Sequence, residues 1–380
     1  MADLLTNAQL VLADRVVTGS IRLDGAQIAA VEPEATLAVP GEDLEGDFLL
    51  PGLIDLHTDN IERHFRPRPR VTWPFPIGSV LTHDWELLGA GITTVVDSLA
   101  LGDYDGDGAR AAMLDGAISS LKAARDAGLL KAEHYLHLRC ELADPGVLEF
   151  ARGRLADPTV RLISLMDHTP GQRQWRNLDI YREYYRKKHA RVWNDEEFAA
   201  HLEVCRNNQQ THTPRSRDAI LAEAALHGLP LASHDDTTVE DVDQSHTYGV
   251  GICEFPTTLE AAQRAHDHGM KNVMGAPNVV LGKSHSGNVS AIELAHAGLV
   301  DILSSDYVPS SMLQAIFKLA GMGFDLAKVV AMGSLAPAQA LRFDDRGSIA
   351  PSLRADLLRV RVVDGLPVIR NIWIGGRRIL

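Results

Sequence analysis

His57 and Asp59 close an apolar run, Pro51-Gly-Leu-Ile-Asp-Leu-His57-Thr-Asp59. Side chains alternate along a strand, so an imidazole and a carboxylate two residues apart project to one face, spaced to share a divalent cation. More ionisable groups end later apolar runs: Glu141, His168 (next to Asp167), His234, Glu254 and Asp306. Taken singly, each is an ordinary strand-end residue facing water. Gathered at one end of a sheet, several carboxylates repel one another unless cations neutralise them. A mixed imidazole and carboxylate set suits Zn²⁺ or Mn²⁺ better than copper or iron-sulfur chemistry. The expected metal site is therefore His57, Asp59, Glu141, His168, His234, Glu254 and Asp306, with His168 and Glu254 either as ligands or as groups that orient them. Two ions would bring a shared water near neutrality, and Asp306 would take its proton and deliver it to a leaving group.

The elements that must position these residues are eight β-rich runs, ending near Asp59, Asp97, Glu141, His168, His234, Glu254, Ala276 and Asp306. Helical patterns at 109–127, 259–268 and 310–321 fill gaps between them. Alternating strand and helix over residues 51–343 predicts an α/β fold, a closed (β/α)₈ barrel of the TIM type with its chemistry at the C-terminal strand ends. Residues 1–50 and 344–380 read as short strands with turns at Asp24-Gly25 and Asp364-Gly365, and are expected to meet in one small β-domain. Two connections, at about 60–79 and 169–217, read as long loops on the active face.

The 380 residues, 45% hydrophobic and 23% charged, suffice for one barrel and a satellite domain. A net charge of −13 argues against nucleic-acid or anionic-membrane partners. Three cysteines make no disulfide framework, and without a leader pattern or a membrane-length apolar run a cytoplasmic location is expected. Against this acidic background the two long loops are basic. Residues 63–70 hold four arginines and no acid; residues 173–191 hold seven Lys or Arg against Asp179 and Glu183. Arg66, Arg68, Arg70 and Arg173 are expected to clamp a polyanionic small molecule, with His285 adding a donor. A solvated helical face at 181–191 and a surface turn at the Arg-Pro repeats are the plainer alternatives.

The strand-end residues resemble the amidohydrolase superfamily over nearly the whole chain. Within it, the strings Arg66-Pro-Arg-Pro-Arg70, Met166-Asp-His-Thr-Pro-Gly-Gln172, Ser233-His-Asp-Asp236, Glu254-Phe-Pro-Thr-Thr258, Gly275-Ala-Pro-Asn278, Ser284-His-Ser-Gly-Asn288 and Ser304-Ser-Asp-Tyr307 are similar to the α-D-ribose 1-methylphosphonate 5-triphosphate diphosphatases of the carbon-phosphorus lyase pathway. The resemblance implies a barrel with a β-sandwich built from both termini, divalent metal ions, and a phosphorylated ribose substrate that loses pyrophosphate to leave the 5-phosphate. Asp59 replaces the second histidine of the superfamily's first-strand motif, no lysine ends the fourth strand, and Glu254 stands where histidine is usual. These departures set the site apart from that of a standard dihydroorotase or hydantoinase. Two rivals stay open: a C–N hydrolase of the same superfamily, and a non-catalytic subunit of a phosphonate-processing assembly. The oligomeric state, homo-oligomer included, stays open.

Overall fold

The computed structural model describes residues 3–34, 41–68, 71–102, 109–189, 191–284 and 287–380, with the backbone alone at 109–112 and 188–189. Eight parallel strands run in sequence order: β1 (Leu53–Thr58), β2 (Ile92–Leu101), β3 (Glu133–Glu141), β4 (Val160–Met166), β5 (Leu231–His234), β6 (Ile252–Glu254), β7 (Lys271–Gly275) and β8 (Ile302–Ser304). Each coincides with one of the eight expected runs. The ends of β1 and β8 close the ring through backbone bonds at the site itself: Asp59 N–H donates to the Asp306 carbonyl at 2.7 Å, and Asp306 N–H to the His57 carbonyl at 3.1 Å.

Inside the ring, Ile54, Leu56, Val96, Leu162, Ala232, Ile252, Val273 and Ile302 form one apolar layer. Each branched side chain among them, fully buried, stabilises the fold by about 1.5–3 kcal/mol. Alternate residues of the same strands, such as Leu136, Leu138 and Cys140 of β3, pack outward against the helices. On β3 that leaves His137, Arg139 and Glu141 pointing inward, where branched aliphatics would normally fill a barrel. Strands from both termini form a second eight-stranded sheet, in which Phe48–Pro51 runs antiparallel to Leu357–Val363 and parallel to Asp3–Val11. The Asp24-Gly25 turn joins two of its strands, with Gly25 at φ 56°.

The two long connections are more ordered than expected. Helix Asn60–Phe65 and the start of helix Pro76–Gly89 occupy the first, and helices Leu178–His189 and Asp195–His227 the second. The 33-residue helix Asp195–His227 begins with a capping box, Asn194 and Glu197 each satisfying the other's backbone N–H. Its few apolar positions and internal Pro214 hide it from a periodicity reading. Trp175, Tyr181, Tyr185 and Trp193 form a separate aromatic core beneath this cap. No helix among the described residues is long and apolar enough to cross a membrane.

Helix Pro76–Gly89 is bonded to β2 and β3 by buried polar groups. Asp97 accepts from His83 Nε2 at 2.7 Å and from His134 Nδ1 at 2.8 Å. His134 Nε2 donates to Asp84 at 3.2 Å, and Asp84 also accepts from the Lys131 and Ala132 amides. His83 Nδ1 accepts from Asn60 Nδ2 at 3.0 Å. His83, Asp97 and His134 have the spacing of a metal site. Their ligand atoms are engaged with one another and with Asn60 and Asp84, so the cluster reads as a hydrogen-bonded brace.

Candidate active site

The C-terminal strand ends open into a cavity of about 380 Å³ lined by His57, Asp59, Arg139, His168, His234, Asp235 and Asp306, with Trp175, Tyr184 and Tyr307 among its other walls. His57 reaches it by an irregularity. Ile54 and Leu56 already point into the barrel, and the pairing of β1 with β2 shifts between Asp55 and Thr58, a bulge that re-aims the next side chain. Strict alternation would have sent His57 outward. At the ends of β5, β6 and β8, Asp235, Phe255 and Asp306 take left-handed backbone (φ 57°, 56° and 56°), conformations that non-glycine residues adopt at some energetic cost and that gather at functional sites. A Cβ at Gly275 would lie 3.3 Å from Asp306 Oδ2, so glycine there keeps room for the carboxylate.

Three histidines share one arrangement. His57 Nδ1 donates to Glu254 Oε1 at 2.9 Å, leaving Nε2 turned to Asp59, 3.9 Å away. His168 Nδ1 donates to Glu141 at 2.5 Å, leaving Nε2 4.0 Å from Asp235. His234 turns Nδ1 to Glu254 Oε2 at 3.5 Å and Nε2 to Asp235 at 3.4 Å. A carboxylate behind each ring with a lone pair in front is how metal-binding histidines are fixed. The groups fall into two triads with metal-ligand spacing, His57 with Asp59 and Asp306, and His168 with His234 and Asp235. These donors fit a hard or borderline divalent cation.

Of the seven expected metal residues, five thus face the cavity. Glu141 and Glu254 stand behind the imidazoles, their carboxylates taken up by the ring N–H groups of His168 and His57. Asp235 enters the set unforeseen: it follows His234, off the strand's alternation, and only its left-handed backbone brings it round. His137 is a further support. Ser98 Oγ donates to its Nδ1 at 3.0 Å, its Nε2 donates to Ser164 Oγ at 2.5 Å, and Ser164 donates to Glu254 Oε2 at 2.6 Å. That chain requires a neutral imidazole, in keeping with burial holding the His137 pKa down to about 3.

Electrostatics follow the same division. Burial, helped by Arg139, lowers His57 to about 3 and takes His234 well below its ordinary value, so both are neutral with lone pairs available. Burial raises Asp306 to about 7, with Asp59 adding to it, and Asp235 to about 6. Burial alone would also raise Glu254, but His137, His234 and Ser164 outweigh it and keep the carboxylate ionised. Removing that charge should loosen two rings together. Glu254→Gln is expected to weaken Zn²⁺ or Mn²⁺ binding by about 10–100-fold in a direct titration; unchanged affinity would mean that Glu254 does not orient the ligands.

The expected arginine clamp is differently placed. Arg173 does not line the cavity; it is held under the floor by an ion pair with buried Asp236 and a bond to the His234 carbonyl at 3.1 Å. Arg66 is half-buried and Arg68 exposed, both outside the cavity lining. Arg70 and His285 lie outside the described residues. On the cap, Arg186 and Lys187 pair with Glu183, and Arg182 with Asp195. Among the described lining residues, Arg139 is the one permanently cationic side chain.

A family model described as "Amidohydrolase family" matches residues 48–379. The chain is 42% identical, over 99% of its length and 100% of the relative's, to the α-D-ribose 1-methylphosphonate 5-triphosphate diphosphatase of Escherichia coli K12. The chain belongs to the amidohydrolase family, in the branch of that diphosphatase. The same fold recurs among solved structures. N-isopropylammelide isopropylaminohydrolase from Burkholderia multivorans matches at TM-score 0.64 and 17% identity, covering 100% of this chain and 98% of that one. N-acetylglucosamine-6-phosphate deacetylase from Pasteurella multocida matches at 0.62 and 13%, covering 100% and 99%. At such identities these two speak for the fold alone. As a family member the chain is a hydrolase, and the two triads have the spacing and the donor types to hold a divalent cation.

Proposed function

We propose that this amidohydrolase is a cytoplasmic diphosphatase that hydrolyses α-D-ribose 1-methylphosphonate 5-triphosphate to the 5-phosphate and pyrophosphate, using two divalent ions, Zn²⁺ or Mn²⁺. The observation that carries this reading is full-length likeness to a diphosphatase joined to a pocket in which three imidazole lone pairs confront Asp59, Asp235 and Asp306. His57, Asp59 and Asp306 would hold one ion, and His168, His234 and Asp235 the other. Such ions, when bound, lower the pKa of water and polarise phosphoryl oxygens.

The chain's own residues do the rest. Glu254 and Glu141 fix the rings that hold the site, and Trp175, Tyr184 and Tyr307 wall the approach for the sugar. Water's oxygen forms a bond to phosphorus, and the bridging P–O bond to pyrophosphate breaks. Asp306 accepts the water's proton at a carboxylate oxygen and passes it to the departing pyrophosphate.

The test is ³¹P NMR of products from a synthetic ribose 5-triphosphate, with chelated protein and with protein reloaded in defined Zn²⁺ or Mn²⁺. Pyrophosphate and 5-phosphate should appear in equal amounts, only in the reloaded samples. Steady ammonia or acetate release from amide or amine substrates, without pyrophosphate, would establish the C–N hydrolase instead.

A further inference from the structure

Arg139 sits where a metal site would not be expected to hold a cation. It comes from the inward face of β3, between His137 and Glu141, and is 8% exposed. Its Nη1 donates to Asp59 Oδ1 at 2.6 Å and its Nη2 to His234 Nε2 at 3.2 Å. Those two acceptors belong to different ligand triads. A bound cation stands about 2.0–2.2 Å from its nitrogen and oxygen ligands, so it competes with the guanidinium for the same lone pairs. Lysine in this position could shed its proton to make way; arginine cannot. It must therefore either move or remain as a repelling charge.

The cavity offers somewhere to move. Arg139 already lines it, as the one permanent cation among the described lining residues. A planar fork released from Asp59 and His234 presents paired N–H donors to whatever anion lies above the ions, and phosphate oxygens match that geometry. We propose that Arg139 is the counter-ion that incoming metal displaces, and that the displaced guanidinium becomes the ligand of a substrate phosphate. This rests on the metal-dependent reading above. It gives one side chain two linked tasks: neutralising Asp59 in the metal-free protein, and recognising phosphate in the loaded one.

The linkage makes opposite signs the diagnostic. Arg139→Met keeps the stem and removes the charge. Mn²⁺ binding, followed by the EPR signal of the free ion, should tighten by about tenfold or more in this variant as the competing cation is lost. Inorganic phosphate binding to the Mn²⁺-loaded variant, by equilibrium dialysis, should weaken by about tenfold or more as the fork is lost. A residue that merely supports the site would lose both affinities together, so weaker or unchanged Mn²⁺ binding overturns the proposal, as does unchanged phosphate binding. Should the methionine variant fail to fold by circular dichroism, Arg139→Lys serves: its lysine can yield the proton, so the variant is expected to bind Mn²⁺ at least as tightly as wild type, while the lost fork still weakens phosphate binding. Wild-type phosphate affinity in the lysine variant would overturn the assignment. Neither measurement requires turnover. A protein that passes both but releases no pyrophosphate has lost the diphosphatase reading and kept this one, whereas a wild type that binds no Mn²⁺ loses both.

Discussion

Asp306→Asn is expected to lower kcat by about 10³-fold, in the range attributed to losing a positioned acid–base group, while the protein stays folded. Asparagine has nearly the same shape and cannot accept the proton. The bonds that close the barrel at this position use the Asp306 backbone, N–H to the His57 carbonyl and carbonyl from the Asp59 amide, so they survive the change. Stability should move in the opposite direction to activity. Burial raises this carboxyl from 3.8 to about 7 in the metal-free protein. A group that binds its proton more tightly when folded penalises folding as pH rises through that interval. At pH 8 the metal-free asparagine variant should therefore melt no lower than the wild type. Retained turnover, with metal content equal to wild type, would remove Asp306 from the proton path.

Asp97→Asn should have the largest effect on stability, about 3–5 kcal/mol by urea denaturation at pH 7, because it breaks a buried charged network by removing one partner. Both histidines point N–H groups at Asp97, so an amide NH₂ at one of its positions would confront another donor. His134 would also lose its main counter-charge. Burial by itself would lower the His134 pKa, but Asp97 and Asp84 raise it from 6.5 to about 9. The sign follows: a histidine whose folded pKa is raised contributes stability that is fully present below 6.5 and disappears as pH climbs through about 9. The gap between wild type and variant should accordingly narrow between pH 7 and pH 10. Asp97 itself is held well below its ordinary value by the two histidines, so its own contribution fails only in acid. A small gap that ignores pH would show the brace to be dispensable.

How much of this was legible in the sequence depends on which way each side chain alternates. Apolar runs ending in ionisable residues mark seven of the eight barrel strands; the strand ending at Gly275 shows only its apolar run. The same pattern on β3 shows His137, Arg139 and Glu141 on one face. What alternation cannot reveal is where it breaks. The bulge before His57, the left-handed turn at Asp235 and that at Asp306 decide which groups reach the cavity. The pairing of Asp97 with His134 escaped notice for a related reason: they lie on the outward faces of β2 and β3, where they bond to each other and to His83 and Asp84 of a helix. Charge counting also has a limit. It registered an excess of arginines near residue 173 but not that Asp236, more than sixty residues later, would claim Arg173.

The ring closes between the ends of β1 and β8, and the residues that form the joint, His57, Asp59 and Asp306, are also the ones that make one ligand triad. During synthesis, β8 leaves the ribosome almost 250 residues after β1. Until it does, the first triad lacks its last carboxylate and the barrel its final wall. A nascent or truncated chain thus lacks a complete centre for any hydrolysis, and competence arrives together with the finished fold.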